Sequence, residues 1–197
     1  SLFDTMPTVI DAFIARGDEP VGHGVTNSDR QGELSENDEK EMIEFSTNKL
    51  EQHFGKRPVG WLSPWISQSH VTLDLLQEAG YTYNMDWAMD DQPIPMETRN
   101  GKIISIPYNH EICDIPAILA QKVSAIEYKD LLIDQFDEML ETTKRDGHPL
   151  VMSIPLHPYI VGQPFRLRQL RLVFQHLAKH KDEIWVAKPS EIINYIS

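Results

Sequence analysis

Two histidines of this sequence occupy positions where catalytic chemistry is expected. His157 follows the nearly all-apolar run 150–156, whose composition predicts a strand buried on both faces. An imidazole at the end of such a strand suits general acid–base catalysis, because its surroundings can move its pKa towards neutrality. His23 lies between two glycines at the end of a short extended run. A neutral imidazole there can bind a metal ion or a substrate oxygen, and the alternative is a surface histidine at a strand exit.

Two further segments carry aromatic or acidic side chains near predicted strand ends. The segment 61–65 (Trp-Leu-Ser-Pro-Trp) places two indole rings on one loop, where they could wall a pocket or cap the core. The segment 86–91 carries three carboxylates, which could bind a polar substrate or remain solvated. The candidate substrate-binding residues are therefore Trp61, Ser63, Pro64, Trp65, Asp86, Trp87, Asp90 and Asp91.

The pattern of helices and strands predicts an α/β fold with a largely parallel sheet. Helical periodicity and capping residues predict helices over residues 3–16, 35–54, 71–79, 126–144 and 165–179, and a last one with Ser190 as its N-cap. Strands are predicted over 19–25, 58–62, 81–87, 103–107, 150–156 and 184–187, with a hairpin turn at Asn100 and Gly101. Parallel α/β folds bind ligands at the carboxyl ends of their strands, which is where the candidate residues lie.

Composition limits the classes of protein to consider. A chain of 197 residues with 41% hydrophobic content can bury one sizeable core, so one domain over residues 1–197 is expected. The net charge of -12 argues against nucleic acid and anionic membranes as partners. The single cysteine, Cys113, excludes an intrachain disulfide and favours a reduced, cytoplasmic protein. No signal peptide or membrane-spanning apolar run is visible.

Known catalytic motifs of other classes are missing from the sequence. It contains no glycine-rich phosphate loop, CxxC pair, HExxH or GxSxG. Kinases, zinc fingers, zincins and α/β-hydrolases therefore have no support.

The order of the four segments resembles the polysaccharide deacetylase (NodB-homology) family, and most closely its cytoplasmic allantoinase-like and peptidoglycan-deacetylase-like branch. The most specific motifs are those of residues 56–65 (Lys-Arg-Pro-Val-Gly-Trp-Leu-Ser-Pro-Trp), 90–93 (Asp-Asp-Gln-Pro) and 156–164 (Leu-His-Pro-Tyr-Ile-Val-Gly-Gln-Pro). This resemblance implies an irregular (β/α)7-like barrel that hydrolyses N-acetyl or ring amide bonds, commonly with a divalent metal.

The resemblance also implies roles for individual residues. His157 matches the general-acid position, and His23 matches the first of two metal-binding histidines. Asn27 stands at the position of the second histidine, and Asn is a poor ligand for Zn²⁺. Leu62 stands where the family often has Arg. The early strand that carries the family's paired aspartates has no counterpart in this chain, so we expect the barrel to lack its first strands and its general base.

These observations predict a hydrolase that acts on a non-peptide carbon–nitrogen bond. The favoured hypothesis is an allantoinase-like enzyme for a small polar amide, with no metal or a weakened metal site, in which backbone N–H groups near Ser63 or the Gly22–Gly24 turn stabilise the oxyanion. The first alternative is a metal-dependent N-acetyl sugar deacetylase of carbohydrate metabolism, with Zn²⁺ at His23. The second is a non-catalytic binding protein on the same fold. A barrel without a strand exposes unpaired edges, which either the missing strand of the parent protein or a partner chain would cover. The resemblance further suggests a homotetramer.

Overall fold

The computed structural model describes residues 2–87 and 89–196. The chain divides into two compact units, one of Ser1–Trp87, Ile94–Ile106 and Ala187–Ser197, and a second of Ala88–Pro93 and Pro107–Val186. We call them unit 1 and unit 2. The expectation of one domain over residues 1–197 stays a prediction.

Unit 1 contains a mixed sheet of five short strands. The strands are β1 (Val21–Gly22), β2 (Gly60–Trp61), β3 (Tyr83–Asn84), β4 (Ile94–Thr98) and β5 (Gly101–Ser105). Their order is β1-β2-β3-β5-β4. The first four in this order pair in parallel, and β4 pairs antiparallel with β5 in the predicted hairpin. Within the described residues the sheet is open, with β1 and β4 at its edges.

Five helices lie in the described residues of unit 1. They are α1 (Leu2–Thr5), α2 (Pro7–Arg16), α3 (Glu36–Phe54), α4 (Thr72–Glu78) and α8 (Pro189–Ile196). The longest of them, α3, begins and ends where its capping residues predict. The Ser35 side chain accepts a hydrogen bond from the backbone N–H of Asp38 at the start of α3, and Gly55 ends the helix in the left-handed conformation. The core of the unit packs α3 and α4 against the sheet through Ile43, Trp61, Leu75, Leu76, Tyr81 and Ile103.

Unit 2 is mainly helical. Its elements are a π-helical segment (Ile115–Ala120), α5 (Ala125–Asp146), α6 (Pro158–Val161), α7 (Pro164–Leu177) and a 3-10 turn (Ala178–His180). Ser124 and Glu127 form a reciprocal capping box at the start of α5. Helices α5 and α7 pack on a core that includes Ile112, Leu132, Ile160, Leu170 and Val173. No helix among the described residues is long and apolar enough to cross a membrane.

The predicted strand over residues 150–156 is extended but joins no ladder in the described part of the chain. Isolated polar bonds hold it instead. The N–H of Val151 donates to the carbonyl of Asp91 at 2.8 Å, and the N–H of Ser153 donates to the Asn109 side chain at 2.7 Å. The prediction of a paired strand buried on both faces is wrong: only Pro155 of the run is buried, and apolar composition does not determine which backbone lies alongside.

Two predictions near the C-terminal end also differ from the structure. Residues 184–187 form no strand in the described chain. Ser190 is not the N-cap of α8 but lies inside it, where its hydroxyl donates to the Glu19 carboxylate at 2.8 Å. Tyr83 donates to the other oxygen of that carboxylate at 2.9 Å, so Glu19 joins α8 to the sheet. A serine that has a long-range acceptor gains more from that bond than from capping its own helix.

Strands β2 and β3 approach closely at Gly60, which leaves no room for a side chain at that position. A Cβ atom there would overlap the ring of Tyr83, a fully buried side chain. We expect Gly60→Ala to lower the free energy of unfolding by about 2 kcal/mol or more, because neither strand can move without disturbing the ladder. Gly80→Ala, a control with a positive φ of 89° and open space around its Cβ, should cost about 1 kcal/mol. Urea denaturation checks both, and an equal loss in the two variants would contradict the steric argument.

Candidate active site

His157 in unit 2 is held by a buried carboxylate, that of Asp114. Its Nδ1 lies 2.6 Å from Asp114 Oδ1, and its backbone N–H donates to Asp114 Oδ2 at 2.7 Å. Asp114 is fully buried, whereas 26% of the His157 side chain is exposed. Because a carboxylate accepts hydrogen bonds, the proton of the neutral ring is on Nδ1 and the lone pair is on Nε2. This arrangement can accept a proton on Nε2 and return it to a leaving group.

The same hydrophobic core positions both partners of this pair. His157 immediately precedes α6, whose Ile160 and Val161 are core residues. Ile112, two residues before Asp114, packs in the same cluster. The two segments are also joined by a backbone bond from the Asp114 N–H to the Pro155 carbonyl, 3.4 Å long. Packing therefore fixes the imidazole relative to its carboxylate.

Sequence analysis missed Asp114. A usable signal is a lone acidic residue inside an otherwise apolar stretch, Ile112-Cys113-Asp114-Ile115, since a carboxylate in such a place needs a partner. The neighbouring Cys113 is buried, and its Sγ lies 3.9 Å from Asp114 Oδ1. Burial raises the pKa of the Cys113 thiol, so the sulfur remains a neutral, weak donor to the carboxylate.

Asp90 and Asp91 border a cleft of about 180 Å³ that lies within unit 2. Asp91 accepts a bond from Asn109 Nδ2 at 3.0 Å, and Asp90 accepts one from the Asp91 N–H at 2.7 Å. Asp90 is exposed and keeps carboxylate lone pairs for other donors. The cleft is therefore rich in acceptors, and its walls are formed by Met89, Asp90, Asp91, Pro107, Tyr108, Asn109 and Glu111.

His23 lies in unit 1, just after β1. Its Nδ1 is 2.6 Å from the carbonyl oxygen of Leu62, which can only accept, so Nδ1 carries the proton and Nε2 keeps the lone pair. Asn27 lies four residues on in an exposed turn, where its backbone oxygen accepts a bond from Trp65 Nε1 at 2.5 Å. His23 therefore offers Nε2 to a ligand, while the hydrogen bond from Nδ1 to the Leu62 carbonyl fixes the orientation of its ring.

Asp86 and Ser63 form a buried network in unit 1. Asp86 accepts from the Ser63 N–H and from the Ser63 hydroxyl, each at 2.6 Å, and from Asn84 Nδ2 at 2.9 Å. Burial raises the pKa of the Asp86 carboxyl, and the bonds from Ser63 and Asn84 oppose that shift. The Ser63 N–H is thus already occupied and is not a free oxyanion donor, which corrects that part of the sequence hypothesis. Asp86 fixes the Ser63 turn.

The tryptophans fall into buried and exposed groups. Trp61 is fully buried; its Nε1 donates to Gln31 and to Ser63 Oγ, and its ring packs edge-on to Tyr81. Trp61 thus packs beneath the loop instead of lining a surface, because its strand faces the core. Trp65 and Trp87 are 61% and 38% exposed and present ring area to solvent.

The loop after β2 has an unusual backbone. Pro64 is buried, and the next two residues, Trp65 and Ile66, have positive φ angles of 61° and 51°. For a β-branched residue such as Ile66 this conformation is strained. The guanidinium of Arg30 lies 4.7 Å from the Trp65 ring centroid, and with the bond to Asn27 it holds the indole in place.

The residues around His23 do not fit a metal site. Among the described residues two clusters could each supply three metal ligands, and neither includes His23. Asn27 does not provide the second strong donor that Zn²⁺ needs. One of the two clusters is Cys113, Asp114 and His157. There both oxygens of the fully buried Asp114 carboxylate are already bonded to His157, so we interpret this group as an acid–base pair.

The described fold is that of polysaccharide deacetylases, in agreement with solved structures. The chain superposes on Puue allantoinase with a TM-score of 0.87 and 25% identity, over 98% of this chain and 63% of that one. A probable polysaccharide deacetylase from Pseudomonas aeruginosa gives 0.86 and 28%, over 98% and 64%. A putative polysaccharide deacetylase from Mycobacterium smegmatis, 22% identical, shares the fold with a TM-score of 0.80. The prediction of an irregular α/β barrel type with an open sheet is confirmed.

Curated relatives confirm the resemblance seen in the sequence. A peptidoglycan deacetylase of Helicobacter pylori is 23% identical over 216 residues, covering 93% of this chain and 70% of the relative. A putative polysaccharide deacetylase of Schizosaccharomyces pombe is 27% identical over 120 residues, covering 56% and 37%. No family model matches the chain. The chain spans less than two thirds of the length of two of these solved structures, the allantoinase and the Pseudomonas aeruginosa protein.

The raised pKa of Asp86 predicts a pH dependence of stability. A folded-state pKa above the unfolded value of about 3.9 means that the folded protein holds the proton longer. The contribution of Asp86 is therefore full below that unfolded value and is lost as the pH rises through the folded value. We expect the difference in unfolding free energy between wild type and Asp86→Asn to fall with rising pH, by up to about 1.4 kcal/mol per pH unit.

Urea denaturation of both proteins at several pH values measures this difference, and groups common to the two proteins cancel. Asp90→Asn, at an exposed carboxylate, is the control for the change from Asp to Asn. A wild-type advantage that grows with pH would instead mean that the bonds from Ser63 and Asn84 outweigh desolvation.

Proposed function

We propose that the protein hydrolyses a non-peptide carbon–nitrogen amide bond. The observation that carries this proposal is the His157–Asp114 pair, in which a buried carboxylate orients a partly exposed imidazole. The likeness to a peptidoglycan deacetylase and to an allantoinase supports the same reaction class, because both types of enzyme break such bonds.

His157 acts as the general acid in this proposal. Water adds to the amide carbonyl carbon and gives one proton to Nε2 of His157, which leaves a tetrahedral intermediate with a negatively charged oxygen. As the C–N bond breaks, protonated Nε2 transfers its proton to the departing nitrogen, so that a carboxylic acid and an amine are released. Asp114 keeps the proton on Nδ1 and stabilises the imidazolium while it exists. Asp114 is thus a positioning residue, because its contacts are with His157.

His23 is a second functional imidazole in the proposal. With its Nδ1–H bonded to the Leu62 carbonyl, Nε2 is an acceptor for water or a substrate N–H or O–H group. We assign it substrate positioning and proton acceptance, with no metal. The exposed faces of Trp65 and Trp87 offer stacking surface to the substrate, while Ser63, Pro64 and Asp86 shape the loop that carries Trp65.

The favoured substrate is a small, polar, ureide-like or cyclic amide. The cleft at Asp90, Asp91 and Glu111 presents carboxylate acceptors, which match the several N–H donors of a urea-type group. His23 and Asn27 do not provide the ligands of a zinc site. This favours the ureide-like or cyclic amides, for which we propose hydrolysis without zinc.

A metal-dependent N-acetyl sugar deacetylase is the second candidate. It is favoured by the curated relatives, which are a peptidoglycan deacetylase and a putative polysaccharide deacetylase. This function requires a divalent metal, and residues other than His23 and Asn27 would have to supply most of its ligands. By the family resemblance we also propose a cytoplasmic homotetramer; the buried, unpaired Cys113 accords with a reducing compartment.

The role of His157 predicts a specific pattern of variants in the full-length protein. We expect His157→Ala to lower kcat by about 100-fold or more, because the leaving nitrogen loses its proton donor. Asp114→Asn should lower kcat and shift the limb of the pH–rate profile that His157 controls, with KM little changed. His148→Ala, an exposed histidine of unit 2, is the matched control and should leave both constants unchanged. Steady-state rates across pH measure all three, and an unaltered rate in His157→Ala would exclude the general-acid role.

The two substrate classes are separated by a chelator experiment on full-length protein. Allantoin, cyclic amides and N-acetylglucosamine oligomers are offered before and after exhaustive chelation, and metal content is measured by mass spectrometry. We expect hydrolysis of the ureide or cyclic amide that resists chelation. Chelator-sensitive release of acetate with stoichiometric zinc would instead establish the sugar deacetylase. Binding of sugars without turnover of any substrate would overturn the enzymatic proposal and indicate a binding protein.

A further inference from the structure

A second cluster of metal-binding side chains lies in unit 2, on elements that the proposed hydrolysis does not use. His176 is in the last turn of α7, and His180 follows four residues later in the 3-10 turn that continues it. A spacing of four places two side chains on one face of a helix. Asp137 faces them from α5, the helix on which α7 packs.

The donor atoms of these three residues already lie close together. His176 Nε2 is 2.7 Å from Asp137 Oδ1, and one ligand atom from each residue lies within 4.8 Å of the others. Donors bound to one zinc ion at about 2.1 Å are at most about 4.2 Å apart. Small rotations of exposed side chains therefore suffice to bring all three onto one ion.

Glu183 supplies the outer support that metal-binding histidines usually have. Its carboxylate accepts from His180 Nδ1 at 2.7 Å, which leaves the lone pair of that ring on Nε2. Glu183 is also paired with Lys144, and Lys144 and His180 hold the pKa of its carboxyl below the usual range. A carboxylate bonded to the far nitrogen fixes the tautomer and strengthens the histidine as a ligand.

The residues around Asp137, His176 and His180 favour the binding of a cation between these three side chains. The ring of Phe136, a buried residue, meets both imidazoles edge-on, with centroids 6.0 Å from His176 and 5.4 Å from His180. It excludes water on one side, while the ligand residues are partly exposed on the other, where an ion can enter. Two imidazoles and one carboxylate suit borderline first-row metals and are poorly suited to Mg²⁺ or Ca²⁺.

We propose that Asp137, His176 and His180 form a binding site for a divalent transition metal ion of the zinc type, with water as the fourth ligand. The ion cross-links α5 to the end of α7. Both helices contribute to the core on which His157 and Asp114 are mounted, so the ion stabilises unit 2 as a whole. The site takes no part in the amide hydrolysis proposed above and does not depend on it.

Titration of metal-free, full-length protein with Zn²⁺ tests the site, by calorimetry and thermal unfolding. We expect one zinc equivalent, a melting temperature raised by roughly 5–10 °C at a hundredfold excess over Kd, and no such response to Mg²⁺. His176→Ala and His180→Ala should each remove this equivalent. Glu183→Ala should weaken it by roughly tenfold, as is usual for a residue that supports a ligand. Circular dichroism verifies that each variant is folded.

Two controls separate this site from the other cluster that could hold a metal. His148→Ala, an exposed histidine outside both clusters, should keep the zinc equivalent, and so should His157→Ala, which disrupts the Cys113–Asp114–His157 group. Zinc that survives in His176→Ala and His180→Ala but is lost in His157→Ala would overturn the proposal. Wild-type protein that binds no zinc at micromolar concentration would overturn it as well.

Discussion

The buried carboxylate of Asp114 is the constraint on which the candidate chemistry depends. An isolated charge with no exposed surface is costly, and two hydrogen bonds from the backbone and ring of His157 offset that cost. The same two bonds remove the freedom of the imidazole to flip or to change tautomer. The orientation of Nε2 thus follows from the need to satisfy a buried charge. The apolar segments around Asp114 and His157 can pack as observed because these two bonds satisfy that charge.

The network at Asp86 uses the same physical device for a different purpose. Its carboxylate is also buried, but its partners are Ser63 and Asn84, none of which can take up or release a proton near neutral pH. Burial raises the pKa of Asp86, and the bonds from Ser63 and Asn84 and the nearby His23 oppose that shift without cancelling it. A buried acid beside an imidazole can support proton transfer, whereas a buried acid among neutral donors fixes backbone. The two buried aspartates are therefore distinguished by their hydrogen-bond partners and not by their residue type.

The helices could be predicted from the sequence because their determinants are local. Ser35, Gly55, Ser124 and Gly147 act at the helix ends within a few residues of themselves. The pairing of segments could not be predicted in this way. Asp114 and His157 are 43 residues apart, and the apolar run 150–156 pairs through isolated bonds and not through a ladder. His157 could be found because it follows that run, while Asp114 was missed because the imidazole that it orients is distant in sequence.

The strained loop after β2 shows how a motif recognised in sequence acquires a physical reason. Positive φ angles at Trp65 and Ile66 cost on the order of 1–3 kcal/mol each, and such geometry persists only where neighbours determine it. Here the neighbours are specific: the Ser63 carbonyl accepts the Ile66 N–H at 2.9 Å, and the Asn27 carbonyl accepts the Trp65 indole N–H. Asn27 contributes through its backbone, so this support does not require a histidine at that position. An asparagine at position 27 is therefore compatible with an intact loop that holds the exposed Trp65 ring.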